Sequence, residues 1–236
     1  MMNNHEFITL LVEDGTTMEA YIAFPEELES FPAIILLQEA FGVNSHIRNI
    51  ADRLCKEGYA VIAPELFHRT GQRIEIAYTD FPSVAPHLQA ISFEGVAKDL
   101  TACYEWLLQQ PPVLEDKIGS IGFCMGGRVA FQANTQLPLA AAVSFYGGGI
   151  DKMAALAEQL HGAQLFFWGG LDAHIKPESI EAAIAAVKAA GKEYSNVVIS
   201  YADHGFNCDE RKSYHPLAAK EAWAHTLSFL ENRLKN

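Results

Sequence analysis

Lys117-Ile-Gly-Ser-Ile-Gly-Phe-Cys-Met-Gly-Gly-Arg-Val-Ala130 is the stretch whose reading decides the fold. A short apolar run ends in Gly122-Phe123-Cys124-Met125-Gly126-Gly127, and Val129, Ala130, Phe131 and Ala133 follow in a helix-like pattern. That is a strand, a turn with no room for large side chains, and a helix. The frame is G-x-C-x-G, the nucleophile-elbow pattern with cysteine in place of serine. Such a turn holds its central residue in strained backbone geometry, and only missing Cβ atoms let strand and helix approach so closely. Cys124 Sγ is therefore expected above the end of the sheet, at the positive N-terminus of the next helix, where negative charge is favoured. Glycine-flanked cysteines also serve as small buried residues, so the rest of the chain must supply the context.

Upstream, Phe7 to Val12 and Met18 to Phe24 flank Glu13-Asp14-Gly15-Thr16 and read as an antiparallel hairpin. Pro25 and Pro32 bracket a short acidic connection. Ala33 to Leu37 is a near-continuous apolar run, the mark of a strand buried on both faces. Gln38-Glu39-Ala40-Phe41-Gly42 ends it, and Ile47, Ile50, Ala51 and Leu54 then fall at helical spacing, closed by Gly58. Tyr59 to Ala63 is another buried strand, stopped by Pro64. Residues 64 to 90 show no clear period, which predicts a functional loop or short helices. Phe93, Val96, Ala97, Leu100, Cys103, Tyr104, Leu107 and Leu108 trace one face of a long helix, ended by Pro111-Pro112.

Downstream, Ala140 to Tyr146, Gln164 to Trp168 and Asn196 to Tyr201 are strand-like. Helical stretches lie near Met153 to Leu160 and Glu178 to Ala190, with a final helix from Leu217 to Leu234. Alternating strands and helices predict a single α/β domain over residues 1–236, without repeats or linkers. Its sheet is mostly parallel, covered by helices on both faces, with the antiparallel hairpin at the N-terminus.

Composition excludes several classes. Half of the 236 residues are apolar and 19% are charged, so a substantial core is expected rather than disorder. A formal net charge of -12 argues against nucleic acid and mildly against anionic membranes. No apolar run approaches a membrane span, and Met1-Met2-Asn3-Asn4-His5-Glu6 lacks the features of a signal peptide. The four cysteines (Cys55, Cys103, Cys124, Cys208) form no C-x-x-C pair, which suggests neither zinc nor a disulfide framework and suits a reducing cytoplasm. The nine histidines include no H-E-x-x-H, so no metal site is expected.

Reactive groups of a parallel sheet collect beyond the carboxyl ends of its strands. Gly169-Gly170-Leu171-Asp172 follows one strand, and Ala202-Asp203-His204-Gly205-Phe206 follows another. Cys124, Asp172 and His204 thus stand after three separate strands in the order nucleophile, acid, base, as in an α/β-hydrolase. The imidazole moves the thiol proton, and the carboxylate fixes the imidazole tautomer and stabilises its charge. Asp203 is the weaker acid candidate, because a sequence neighbour of His204 rarely points at its ring.

With these residues named, the chain resembles the dienelactone hydrolase family, carboxymethylenebutenolidases on an α/β-hydrolase fold. The resemblance rests on Gln38-Glu39-Ala40-Phe41-Gly42-Val43-Asn44, on Gly122-Phe-Cys-Met-Gly-Gly127, on Asp172 and on His204-Gly205-Phe206. It implies a cofactor-free hydrolase of small ester or lactone substrates with Cys124, His204 and Asp172 as the triad. It further implies Glu39 as a carboxylate that contacts the resting thiol, keeps it neutral, and is displaced by substrate. Backbone N–H groups of Met125 and Ala40 would form the oxyanion hole. Members acting on dienelactone bind its carboxylate with two arginines, one in the middle loop and one four residues past the histidine. This chain has Arg69 and Arg73 in the loop but Cys208 at the second place, with Arg211 three residues further on. Phe41, Tyr78, Phe81 and Tyr146 are candidate pocket walls.

Two alternatives remain on the same fold. One is a general carboxylesterase acting on small esters without dienelactone activity. The other is a non-enzymatic thiol module, redox-responsive or ligand-binding, which would need no oriented triad.

Overall fold

Gly15, at φ +84°, makes the first reversal of the chain. Asp14 Oδ1 accepts from the Thr16 N–H and hydroxyl at 3.0 and 2.6 Å, a local hydrogen bond that pre-shapes the turn. In this computed structural model, which describes residues 5–26 and 29–236, β1 (His5–Leu11) and β2 (Thr17–Ala23) pair antiparallel on either side of it. Met1 to Asn4 of the N-terminal segment and Glu27-Leu28 of the acidic connection lie outside the described residues.

The chain gathers into two compact units, Met1–Ile118 and Gly119–Asn236. In the first, β2 runs antiparallel to β4 (Ala60–Pro64), and β3 (Phe31–Leu37) runs parallel to β4. Every residue of β3 and β4 is buried, as an apolar run between covered faces requires. Helix α1 (Ser45–Lys56) starts where the Asn44 side chain accepts from the Ile47 N–H, and it buries Ile47, Ile50, Ala51 and Leu54. Helix α3 (Phe93–Leu108) is capped by Ser92 and buries Val96, Leu100, Cys103 and Leu107.

The stretch without a sequence period contains a helix, α2 (Phe81–Ala90). Asp80 caps it and Pro82 sits in its first turn, both favourable there. Only Val84 of this helix is buried, so no apolar stripe marks it in the sequence. The preceding loop is pinned by charge. Arg69 meets Asp14 and Asp99, Arg73 meets Glu19 and lies over the Phe7 ring, and Arg48 meets Glu75.

Strand β5 (Val113–Phe123) crosses from the first unit into the second. Beyond it the order is β5, β6 (Ala141–Phe145), β7 (Ala163–Gly169) and β8 (Tyr194–Ile199), each parallel to its neighbour. Helices α4 (Met125–Gln136), α5 (Pro177–Ala189) and α6 (Pro216–Leu230) connect or follow these strands. The described residues therefore hold eight strands, mostly parallel, with the hairpin at the start. The stretch expected as a helix near Met153 is a 3-10 helix over Ile150–Gln159, and the last helix ends at Leu230 in a π-turn. The last strand begins two residues earlier than its apolar run, because Tyr194 and Ser195 still pair with β7. Among the described residues no helix is long and apolar enough to cross a membrane.

One buried amide ties the second unit together. Asn134, fully buried, accepts from the Gly162 N–H at 2.9 Å and donates to Gly162 O and Gln164 Oε1 at 3.0 and 3.1 Å. This fixes the end of α4 against the start of β7. Asn134→Ala strands buried polar atoms on both sides and is expected to cost about 2–3 kcal/mol, read as a lower urea midpoint at unchanged m-value.

Candidate active site

Gly122 and Gly127 leave room for the turn between β5 and α4. A Cβ on Gly122 would lie 1.9 Å from the Gly126 carbonyl oxygen, and one on Gly127 would lie 2.5 Å from that of Phe145. The approach forces Cys124 to φ 55° and ψ -115°, a conformation that costs on the order of 1–3 kcal/mol for a residue with a side chain. Its backbone is held there by N–H donation to Phe145 O at 3.0 Å and by its own carbonyl accepting from Gly127 at 3.0 Å. Sγ thus projects from the end of β5 beside the first turn of α4.

The segments after β7 and β8 bring two groups to that sulfur. His204 Nε2 lies 3.1 Å from Cys124 Sγ, and His204 Nδ1 lies 2.7 Å from Asp172 Oδ2. Asp172 turns its other oxygen back on its own loop, accepting from the backbone N–H groups of His174 and Ile175 at 2.7 and 3.2 Å. Its side chain is 1% exposed and that of His204 is 10% exposed. Asp203 does not reach the imidazole of its neighbour; it accepts from the His204 backbone N–H at 2.6 Å. Tyr146, the residue after β6, also has positive φ (40°), donates its N–H to Phe167 O at 2.7 Å, and packs its buried ring 5.0 Å from the imidazole. On another side the His174 ring stands edge-on to His204 at 5.2 Å.

Comparison with known proteins places the chain in a family. The profile described as "Dienelactone hydrolase family" matches residues 18–234. The chain belongs to the dienelactone hydrolase family. A protein from Synechocystis named "Putative carboxymethylenebutenolidase" is 34% identical over 230 residues, covering 91% of this chain and 92% of that one. One of the same name from Escherichia coli K12 is 33% identical, covering 94% of this chain and 85% of that one. The crystal structure of a protein titled "Putative Dienelactone Hydrolase" from Klebsiella pneumoniae superposes with a TM-score of 0.87 at 32% identity, covering 96% of this chain and 97% of that one. The α/β-hydrolase fold is shared, and this member of the family is a hydrolase of the ester and lactone class.

The remaining residues singled out from the sequence fall into two groups. In the second unit, Met125 opens α4 beside Cys124, and Arg211 lies close to Gly205. A Cβ on Gly205 (φ +78°) would meet the Arg211 Cζ at 2.5 Å, so a dienelactone hydrolase with a larger residue here would have to move that guanidinium. In the first unit, Glu39 and Ala40 follow β3 and are buried. Gln38 holds that turn, donating to Glu39 O at 3.2 Å and accepting from the Leu66 N–H at 3.0 Å. Phe41 is buried against Tyr78 and Phe81 at ring distances of 4.5 and 5.4 Å, and Asn44 donates to the Tyr78 hydroxyl. The Arg69 guanidinium is occupied by Asp14 and fully buried Asp99, and that of Arg73 by Glu19. The sequence alone sets His174 aside with the other histidines, because it does not stand where a catalytic base would follow a strand. Its signal is the Asp172-x-His174 spacing, which lets the aspartate cap the following N–H groups.

Charge in the trio is shared. Burial opposes a charged His204, but hydrogen bonds to Asp172 and Cys124 and the negative charge on both outweigh it, pushing the imidazole up to about 10. Burial likewise opposes charge on Asp172, while the His204 contact and the two backbone N–H groups hold its carboxyl below the ordinary range. For His204, pairing contributes stability that is complete below its ordinary 6.5 and disappears as pH rises through about 10. For Asp172 the contribution is present above the ordinary 3.8 and is lost as pH falls through the lower folded value. A nitrogen-15 NMR titration should find His204 as imidazolium throughout neutral pH. Cys124→Ala should move its midpoint down; an unmoved midpoint would mean that the sulfur contributes nothing to the charge on the ring.

Proposed function

We propose that the chain hydrolyses small esters and lactones through a Cys124-His204-Asp172 triad, as dienelactone hydrolase-like enzymes do. The observation that carries this is the unbroken contact from sulfur to imidazole to carboxylate, 3.1 and 2.7 Å long. The proton of the pair resides on His204, whose charge Asp172 and Cys124 both favour. The sulfur attacks the substrate carbonyl, and the carbonyl electron pair moves to oxygen. The Met125 N–H, at the first turn of α4, receives that oxyanion, and such a donor contributes about 3–4 kcal/mol. Collapse of the tetrahedral species breaks the ester C–O bond, and His204 gives its proton to the departing oxygen. A thioester and a neutral imidazole remain. His204 then takes a proton from water as the water attacks the thioester, and expulsion of sulfur restores the charged pair. Asp172 stabilises the imidazolium in both halves and holds Nε2 towards Sγ.

The likeness in name of the relatives points to a lactone bearing a carboxylate, the carboxymethylenebutenolide type. Arg211 lies beside the His204-Gly205 turn, and we assign it the substrate carboxylate. Arg69 and Arg73, held by acidic partners, serve the loop instead.

Turnover of an activated aryl ester should vanish in Cys124→Ala and His204→Ala and fall on the order of 10³–10⁴-fold in Asp172→Asn. Turnover that survives both of the first two changes removes the enzymatic assignment. A lactone pair differing only in a free carboxylate separates the arginines. Arg211→Ala should raise KM for the acidic lactone alone, and Arg73→Ala should leave both unchanged; the reverse pattern returns the carboxylate to the loop.

A further inference from the structure

Glu65, the residue after β4, is 1% exposed, and neither of its carboxyl oxygens has a hydrogen-bond partner among the described residues. Its main chain is tied on both sides. The N–H donates to Glu19 O at 2.9 Å, and the carbonyl accepts from the His68 N–H at 3.0 Å. A carboxylate enclosed without a donor or a cation is too costly to persist, so such a group holds a proton instead. Burial pushes the Glu65 carboxyl up to about 8, with the negative charges of Glu75 and Glu19 adding to the effect and the positive charges of Arg48 and Arg73 opposing it.

Those four residues form two ion pairs around it. Glu75 Oε1 accepts from Arg48 Nη1 at 2.6 Å, and Glu19 Oε2 accepts from Arg73 Nε at 2.6 Å. They come from β2 (Glu19), α1 (Arg48) and the segment between β4 and α2 (Arg73 and Glu75). Of the two arginines, Arg48 acts more strongly on Glu65. The segment itself is tightly seated. The Ile76 N–H donates to Phe41 O at 3.1 Å, and a Cβ on Gly42 (φ +88°) would lie 1.7 Å from Ile74 O. Arg73, at φ 48°, carries backbone strain at the start of this seat, and the Tyr78 ring rests 4.5 Å from that of Phe41 at its end.

We propose that Glu65 and Glu75 compete for Arg48, so that the proton on Glu65 latches residues 73–78 onto the Phe41–Gly42 turn and loss of that proton releases them. With Glu65 neutral, Glu75 keeps the guanidinium and the segment stays seated. Once Glu65 ionises, the buried anion draws Arg48 inward, because a charge inside the protein must be paired. Glu75 then loses the anchor that holds Ile74 to Ile76 down, and release relaxes Arg73. The seated form binds the proton more tightly than the released form, so seating weakens by about tenfold per pH unit as pH rises and changes no further above about 8. Phe41 and Tyr78 are candidate pocket walls, so under the hydrolase reading the latch would govern that side of the pocket. The latch itself rests on the first unit alone.

Hydrogen–deuterium exchange of the full chain, followed in peptides covering residues 70–80 and corrected for intrinsic exchange at each pH, tests this. Protection should fall on the order of 100-fold between pH ~5 and ~7 and level off above ~8, while peptides from α5 stay unchanged. Glu65→Gln, which keeps the shape of the neutral acid, should hold the segment protected at every pH. Glu75→Gln should leave it weakly protected at every pH. Protection in the wild type that does not change with pH, a wild-type pH profile in Glu65→Gln, or wild-type protection in Glu75→Gln overturns the proposal. Should Glu65→Gln fail to fold, a carbon-13 titration of the Glu65 carboxyl in the wild type decides: a midpoint near 8 supports the latch, and one near the ordinary 4.5 overturns it. None of these readouts uses turnover, so they separate the latch from the hydrolase reading.

Discussion

The close approach of β5 and α4 is the constraint on which the site depends. With no Cβ on Gly122 or Gly127, the helix starts almost on top of the strand end, and the residue between them cannot relax into ordinary backbone geometry. Cys124 is the residue that bears the strain, and its side chain is consequently held clear of the strand. A flexible loop could present a thiol as well, but it would have to be ordered in each catalytic cycle. Here the ordering is built in during folding and is supported by the Phe145 carbonyl and the β6 end.

The same logic continues at the neighbouring strand ends. Tyr146 is strained after β6 as Cys124 is after β5, and its ring walls the imidazole that meets the sulfur. Asp172 is tied by one oxygen to its own loop and by the other to His204, so the acid cannot swing away without breaking local backbone contacts as well. The result is a trio whose charges support one another. Burial alone would discharge both His204 and Asp172; their pairing reverses that for each.

The first unit uses its charge differently. Arg69, Arg73 and Arg48 fasten the segment between β4 and α2 to the β1–β2 turn, to α3, to β2 and to α1. Asp99 is fully buried and faces both Arg69 and His68, a cluster whose interruption would leave an uncompensated charge inside the protein. Arg73 is half exposed and its pair with Glu19 contributes little by comparison. Sequence position alone makes these arginines resemble ligands for an anionic substrate, because it names no partner. Asp14 and Asp99 are 55 and 30 residues from Arg69, a separation that no local pattern conveys.

The amino-acid sequence by itself determined the alternation of buried strands and amphipathic helices, the elbow, and the order of Cys124, Asp172 and His204 after three strands. These are local signals: apolar runs, glycines where backbones must touch, and reactive residues directly after strand ends. Helix α2 is legible only as the short helices that residues 64 to 90 allow, without bounds, because it buries one side chain and so carries no stripe. Asp203 is spent on the His204 backbone N–H, while Asp172 reaches the imidazole. Only the tertiary structure decided that Asp14, Asp99 and Glu19 hold Arg69 and Arg73, and that His174 and Tyr146 flank the imidazole. Each of those depends on distances between residues far apart in the chain, and composition and spacing carry no record of such distances.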